Sequence, residues 1–266
     1  MGHGFVGSAV ASYFKANGVD VVIHDPGKEM FYLNAVCQQP IIFVAVPTPQ
    51  SDTGECDTSI LDEALLSISA TSTIRPVVVI KSTVPVGYTR RAAARLTNLR
   101  LVFCPEFLTE KNAAEDFATG PRLVLSGADA DMDTVEKLFT DADMRRFTTK
   151  TIILRMSYEE AELAKLASNA TLMAKVIVAN EIYQLCQKLN ISYRAVRSVV
   201  ATDPRIGSSH LSVPGHDGFY GAGGTCFPKD IENLRSLYRE HGVTEKVFTA
   251  VSKRNVELRP DVKAAD

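Results

Sequence analysis

From Val19 to Leu154 the chain repeats one unit: a short β-branched run, then a stretch with apolar positions at helical spacing. The runs VDVVIHD (19–25), IIFVAV (41–46), PVVVIKS (76–82), LRLVFCP (99–105), RLVLSG (122–127) and KTIILR (150–155) predict strands. They are almost continuously apolar, as strands buried on both faces are, which implies a mostly parallel sheet covered by helices on each side. Between them GSAVASYFKANG, TSILDEALLSIS and GYTRRAAARL predict amphipathic helices, and Gly18 a helix stop. The alternation predicts an α/β, Rossmann-like domain over residues 1–155.

Near Ser157 the pattern changes. A Pro- and Gly-free stretch runs from there to Asn190, and Ser157 with Glu160 forms a capping box that sets the start of a long helix. Its apolar positions wrap widely, which predicts burial on more than one side. Helices are predicted at 192–201, 229–241 and 244–257, with a Gly-rich loop over 206–228. Residues 156–266 therefore read as an all-α second domain built on the long helix.

Composition narrows the function. A formal charge of −2 gives no bulk electrostatic reason to expect nucleic acid or a membrane surface. The longest apolar runs are too short to span a bilayer, and no secretory leader is read at the N-terminus. The five cysteines are scattered without zinc-type spacing, so free thiols in a reducing cytoplasm and no metal site are expected. Cys104 and Cys186 sit in apolar runs and read as small buried hydrophobes.

Candidate chemistry begins at the first residues. Gly2, Gly4 and Gly7 fit the G-x-G-x-x-G fingerprint, in which glycines make the turn, admit a pyrophosphate and pack helix on sheet. Asp25 ends the next predicted strand, where an acid binds ribose hydroxyls and repels a 2′-phosphate, favouring NAD over NADP. AVPTP (45–49), KSTVPVG (81–87) and CPEFLTE (104–110) follow apolar runs at strand ends, where ligands of open α/β sheets bind. In GAGGTCFPKD (221–230) glycines allow close ligand approach, and Cys226 stands just before a predicted helix. Lys229 and that helix end favour a nucleophilic thiolate; a structural cysteine is the alternative.

Taken in order, GHGFVG, VAVPTP, KSTVPVG, PEFLTE, AELAKLASNA, NEI, DPRIG and GGTCFPKD resemble the UDP-glucose/GDP-mannose dehydrogenase family from Gly2 to about Asn255. Phe227 leans toward the UDP-glucose members, since GDP-mannose members tend to place Leu there. The resemblance implies NAD-dependent oxidation of a sugar-nucleotide C6 alcohol to a carboxylate, two hydride transfers passing through thiohemiacetal and thioester forms of Cys226. It implies that Lys165 and Asn169, one turn apart, hold the reacting oxygens. Asp230 supports proton transfer, Glu106 serves acid/base work and thioester hydrolysis, and Thr83 binds water. Cofactor contacts are implied at Gly2, Gly4, Phe5, Val6, Gly7, Asp25, Pro47, Thr48, Thr83, Glu110 and Lys229. Substrate contacts are implied at Glu106, Phe107, Leu108, Lys165, Asn169, Gly223 and Cys226, with Arg205 reaching across a homodimer formed through helix 157–190. A GDP-mannose or N-acetylated UDP-sugar enzyme, or a non-catalytic dimeric binding protein, are the alternatives.

The sequence departs from the family's pattern in four places. No strand stands ahead of Gly2, so that strand's neighbours are expected to lose two ladders of hydrogen bonds. The stretch between Asp25 and VAVPTP is short, and Thr109 and Lys111 replace the usual Arg and Gly. The family continues past the position of Asp266 into a second α/β domain that holds much of the nucleotide.

Overall fold

A computed structural model describes residues 1–51, 53–140 and 151–261, which form two compact units. The first comprises Met1–Pro49 and Asp57–Lys165; the second comprises Gln50–Cys56 and the chain from Leu166 onward.

In the first unit β1 (Ile41–Val44), β2 (Val77–Ile80) and β3 (Arg100–Phe103) form a parallel sheet in the order β1-β2-β3. Register sets Ile41 beside Val77 and Val77 beside Arg100. A second parallel pair, β4 (Arg122–Leu125) and β5 (Ile152–Arg155), meets the first sheet through an antiparallel bridge from Phe103 to Ser126. The predicted run 150–155 starts at Lys150, which lies outside the described residues.

Strand alternation explains the layers. Val78 and Ile80 of β2 face a core with Leu61, Leu65 and Ile68 of α3 (Ser59–Thr71) and Ala92 of α4 (Tyr88–Arg95). Val77 and Val79 face the opposite core, with Val10 and Phe14 of α1 (Phe5–Ala16), Phe117 of α5 (Ala113–Thr119) and Phe139 of α6 (Asp129–Thr140). β2 is buried at all four positions, as its unbroken apolar run requires.

The predicted strand 19–25 does not form. Among the described residues only Met1 and Gly2 stand between this segment and β1: Gly2 N donates to His24 O (2.9 Å), Met1 N to Phe43 O (2.6 Å) and Ala45 N to Met1 O (2.9 Å). The rest of that slot is a cavity of about 220 Å³ lined by Val10, Phe14, Val19, Val21, Ile23 and Phe43, among others. A β-branched run pairs only with a neighbour at ladder spacing, and none of the described residues supplies one along 19–23. Instead Asp25 bridges back to Met30 around a 3-10 turn at Pro26–Lys28, and the short α2 (Leu33–Cys37) leads to β1.

α7 (Tyr158–Lys188) begins in the first unit and continues into the second. Its capping box forms as the sequence predicts, with Ser157 N donating to Glu160 Oε2 (2.8 Å) and Glu160 N to Ser157 Oγ (3.3 Å). Leu166, Ala170, Met173 and Ile177 are buried, whereas Val178 and Leu185 are more than half exposed. In the second unit α8 (Tyr193–Val200) follows, and α9 (Cys226–Glu240) packs on α10 (Val247–Leu258). α9 starts three residues earlier than the predicted 229. Pro228 does not oppose this, because amides in a first turn have no intrahelical acceptor to lose. No helix among the described residues is long and apolar enough to cross a membrane.

Candidate active site

The fingerprint turn is fixed by what its glycines exclude. A Cβ on Gly2, which has φ +81°, would lie 2.3 Å from Ala45 O, and one on Gly7 would lie 2.1 Å from Gly2 O. Gly4 differs: its Cβ would meet open space, in front of the free amides that begin α1. α1 has no capping side chain and no acid in its first turn, so those amides face outward as an anion cradle. Phe5 is exposed there and Val6 half-buried. Asp25 reaches the same turn, accepting from His3 N at 2.7 Å, and Lys28 Nζ donates to His3 O at 2.5 Å. Open space at Gly4, uncapped amides and the Asp25 carboxylate beside the turn fit a dinucleotide.

The strand-end loops lock to one another. Ser82 Oγ accepts from Val46 N (3.0 Å) and donates to Val46 O (2.8 Å), and Thr48 Oγ1 donates to Thr83 O (2.8 Å). Pro47 stays exposed between these contacts. Glu162 of α7, fully buried, accepts from Gly87 N (2.5 Å) and Thr89 N (2.8 Å), so a side chain from a distant helix caps α4. Burial pushes this carboxyl up from its ordinary value, against the two backbone hydrogen bonds.

Glu106 lies 3.0 Å from Lys81 Nζ in a nearly buried ion pair, and Lys81 also donates to Cys104 Sγ at 3.4 Å. Phe107 is flanked by two cations: the Arg122 guanidinium is 4.0 Å from its ring centroid and Lys165 Nζ 5.4 Å. Leu108 packs against the α1 side of the sheet, while Glu110 is exposed at the start of a 3-10 turn. Thr109, one of the departures from the family pattern, binds Asp116 through both its amide (2.7 Å) and its hydroxyl (2.6 Å). Lys81, Ser82 and Glu162 lie inside the motif stretches, yet sequence reasoning assigned them no role.

In the second unit Cys226 is exposed as the first residue of α9, and the chain's other four cysteines are buried. That corrects its predicted place just ahead of a helix. Asp230, one turn on and fully buried, joins two predicted partners: Asn169 Nδ2 donates to its Oδ2 (2.6 Å), and Lys229 Nζ contacts its Oδ1 (2.6 Å). Burial pulls the Lys229 ammonium down, but Asp230, Cys56 and Cys226 outweigh it and leave it raised. Gly223 sits against the Arg259 guanidinium, which a Cβ would approach to 2.1 Å. Arg205 is exposed and paired with Asp203 at 2.6 Å.

The thirteen predicted residues from Gly2 to Glu110, together with Lys165, lie in the first unit; Asn169, Arg205, Gly223, Cys226, Lys229 and Asp230 lie in the second. Within the units the structure joins Gly2 to Gly7 with Asp25, Thr48 with Thr83, Phe107 with Lys165, and Asn169 with Asp230 and Lys229.

Comparison with known proteins identifies the family. A UDP-glucose 6-dehydrogenase of Streptococcus pneumoniae is 32% identical over 219 residues, covering 80% of this chain and 53% of that protein. The chain thus spans about half the length of such relatives. A UDP-glucose dehydrogenase structure from Pyrobaculum islandicum superposes with a TM-score of 0.73 at 26% identity, covering 95% of this chain and 61% of that one. A UDP-D-ManNAc dehydrogenase from Pyrococcus horikoshii shares the fold, with a TM-score of 0.77 at 20% identity, covering 97% and 67%. Residues 28–143 match the NAD binding domain, and residues 159–257 the central domain, of one family. The chain belongs to the UDP-glucose/GDP-mannose dehydrogenase family, whose N-terminal domain takes NAD.

Proposed function

We propose that the chain carries the cofactor- and thiol-bearing part of an NAD-dependent UDP-glucose 6-dehydrogenase that makes UDP-glucuronate. The observation that carries this reading is Cys226, exposed at the start of α9 one turn from the Asn169–Asp230–Lys229 cluster. Relatives named UDP-glucose 6-dehydrogenase, and Phe227 beside the thiol, favour UDP-glucose over GDP-mannose or an N-acetylated UDP-sugar. Bound NAD supplies the hydride acceptor, two equivalents for each sugar oxidised.

The residues divide the work by their chemistry. Asp230 receives the C6 hydroxyl proton through water as the first hydride leaves, producing an aldehyde. The Cys226 sulfur adds to the carbonyl carbon, while Lys165 and Asn169 stabilise the oxyanion. Loss of a second hydride leaves a thioester. Glu106 activates water, which breaks the C–S bond, returning the thiol and releasing the carboxylate. Gly2, Gly4, Gly7 and Asp25 hold pyrophosphate and ribose, with Phe5, Val6, Pro47, Thr48, Thr83, Glu110 and Lys229 as further cofactor contacts. Phe107, Leu108 and Gly223 line the sugar site. Exposed Val178 and Leu185 on α7 support a homodimer through that helix, to which Arg205 contributes across the interface. Free thiols fit a cytoplasmic setting, and the product fits polysaccharide biosynthesis.

Absorbance of NADH on mixing the protein with NAD and UDP-glucose tests the reading. Signal with UDP-glucose above that with GDP-mannose or N-acetylated UDP-sugars is expected, and Cys226→Ser should abolish the second oxidation. Thermal stabilisation by NAD with no NADH from any of these sugars would instead support the non-catalytic binding protein.

A further inference from the structure

The loop that leads to Cys226 is held by α10, through a side chain that the proposed chemistry does not use. Asn255 is fully buried, and its amide pairs with both backbone groups of Ala222. Ala222 N donates to Asn255 Oδ1 at 2.7 Å, and Asn255 Nδ2 donates to Ala222 O at 3.0 Å. Ala222 is itself buried, so the loop meets a side-chain amide much as a strand meets its neighbour. On the preceding residue, Gly221 N donates to Asn180 Oδ1 at 3.1 Å, and Asn180 is also buried.

The loop's glycines match this clamp. Gly221 has φ +68°, and a Cβ there would lie 2.7 Å from Asn255 Oδ1. Next to it, Arg259 closes over Gly223, tied to Asp217 and with its guanidinium 5.2 Å from the Phe219 ring centroid. A shift of residues 221–223 that broke these bonds without exposing the groups would leave the Ala222 amide, the Ala222 carbonyl and the Asn255 side chain without partners. Groups this deeply buried and mutually satisfied select one conformation.

We infer that Asn255 is a positioning residue: it fixes the Gly221–Gly223 loop so that α9 begins at Cys226 with the sulfur presented to solvent. The inference rests on the reading of Cys226 as the nucleophile, but its effect on the thiol is separate from turnover. A thiol held at a helix N-terminus reacts faster than one in a mobile loop, so releasing the clamp slows the sulfur.

The test is alkylation of the native chain by iodoacetamide at fixed pH, read by mass spectrometry. Cys226 is the exposed cysteine and the other four are buried, so the fast site reports the loop and the slow sites report the fold. Asn255→Ala is expected to slow Cys226 about tenfold while the other cysteines stay protected. Asn255→Asp, which keeps an acceptor for Ala222 N, should recover part of that rate. Amide exchange at Ala222 should accelerate in both variants, and Lys253→Ala, exposed on the same helix, should match the parent. In the turnover assay Asn255→Ala lowers kcat and leaves KM for NAD unchanged. A folded Asn255→Ala with the parent's alkylation rate would overturn the inference. If that variant unfolds, exposing all five thiols, an Asn255→Asp protein with parental rate and parental Ala222 exchange overturns it equally. A parent that makes no NADH defeats the proposed function and leaves the alkylation result standing.

Discussion

The two glycine-rich turns of this molecule are held by different means. Gly2 to Gly7 rest on main chain: the atoms a Cβ would strike first are Ala45 O and Gly2 O, and the turn's neighbours are a sheet edge and a partly filled slot. Gly221 to Gly223 rest on side chains: Asn255, Asn180 and Arg259 supply the contacts. Main chain in a packed sheet cannot yield without moving the sheet, whereas side chains can change rotamer. Gly2 and Gly7 are therefore intolerant of added volume. Gly223, which faces the end of a long side chain, is more tolerant, and the second turn is sensitive to loss of a partner.

The largest expected effect breaks the first turn. Gly7→Ala forces a Cβ to within 2.1 Å of a backbone oxygen, and should cost about 3 kcal/mol by overpacking together with NAD-dependent thermal stabilisation. Urea unfolding with and without NAD measures both. Gly223→Ala meets only the far end of Arg259, so about 1 kcal/mol is expected, with native alkylation of Cys226 retained. Equal losses in the two variants would erase the contrast.

Glu162→Gln probes a side-chain partner within the first unit. The amide oxygen can replace one of the two acceptors that Gly87 N and Thr89 N use, and the other donor is left buried, a cost of about 1 to 2 kcal/mol. The sign with pH is fixed by burial. The folded carboxyl is raised above its ordinary value, so the folded state holds this proton more tightly than the unfolded chain. Its contribution to stability is greatest below the ordinary carboxyl value and is lost as pH rises from there through the raised value of the folded state. The Gln variant should lack that component in a plot of Tm against pH.

The effect at Met1 is read as a pH slope. Burial lowers its ammonium from 8.0 to about 6, with Asp25 acting in the opposite sense. Between those values the unfolded chain binds more protons, so stability should rise as pH increases from about 6 to about 8. An N-terminally acetylated protein should lose that slope, and joining a β-branched segment to the Met1 nitrogen should raise Tm by filling the slot beside Val21 and Ile23.

Much of this arrangement was legible in the residues. Apolar runs located β1 to β5, most clearly β2, where burial on both faces demands continuous hydrophobicity, and the Ser157–Glu160 spacing located the start of α7 because capping is local. The family motifs named Cys226, Asn169, Asp230 and Lys229 as one group, and the second unit brings the last three into contact. The run at 19–25 misled for a physical reason: its pattern describes a strand, but a ladder requires a partner, and composition holds no record of whether one is adjacent. Asn255, Asn180 and Glu162 received no role, because a polar residue on a helix looks alike in sequence whether it faces water or a buried backbone group. The sequence by itself determined β1 to β5, the long helix, the NAD-type turn and the candidate nucleophile, since these show in local pattern and motif. Tertiary structure alone decided which side chains satisfy buried backbone groups, because hydrogen-bond satisfaction depends on what stands within about 3 Å in space.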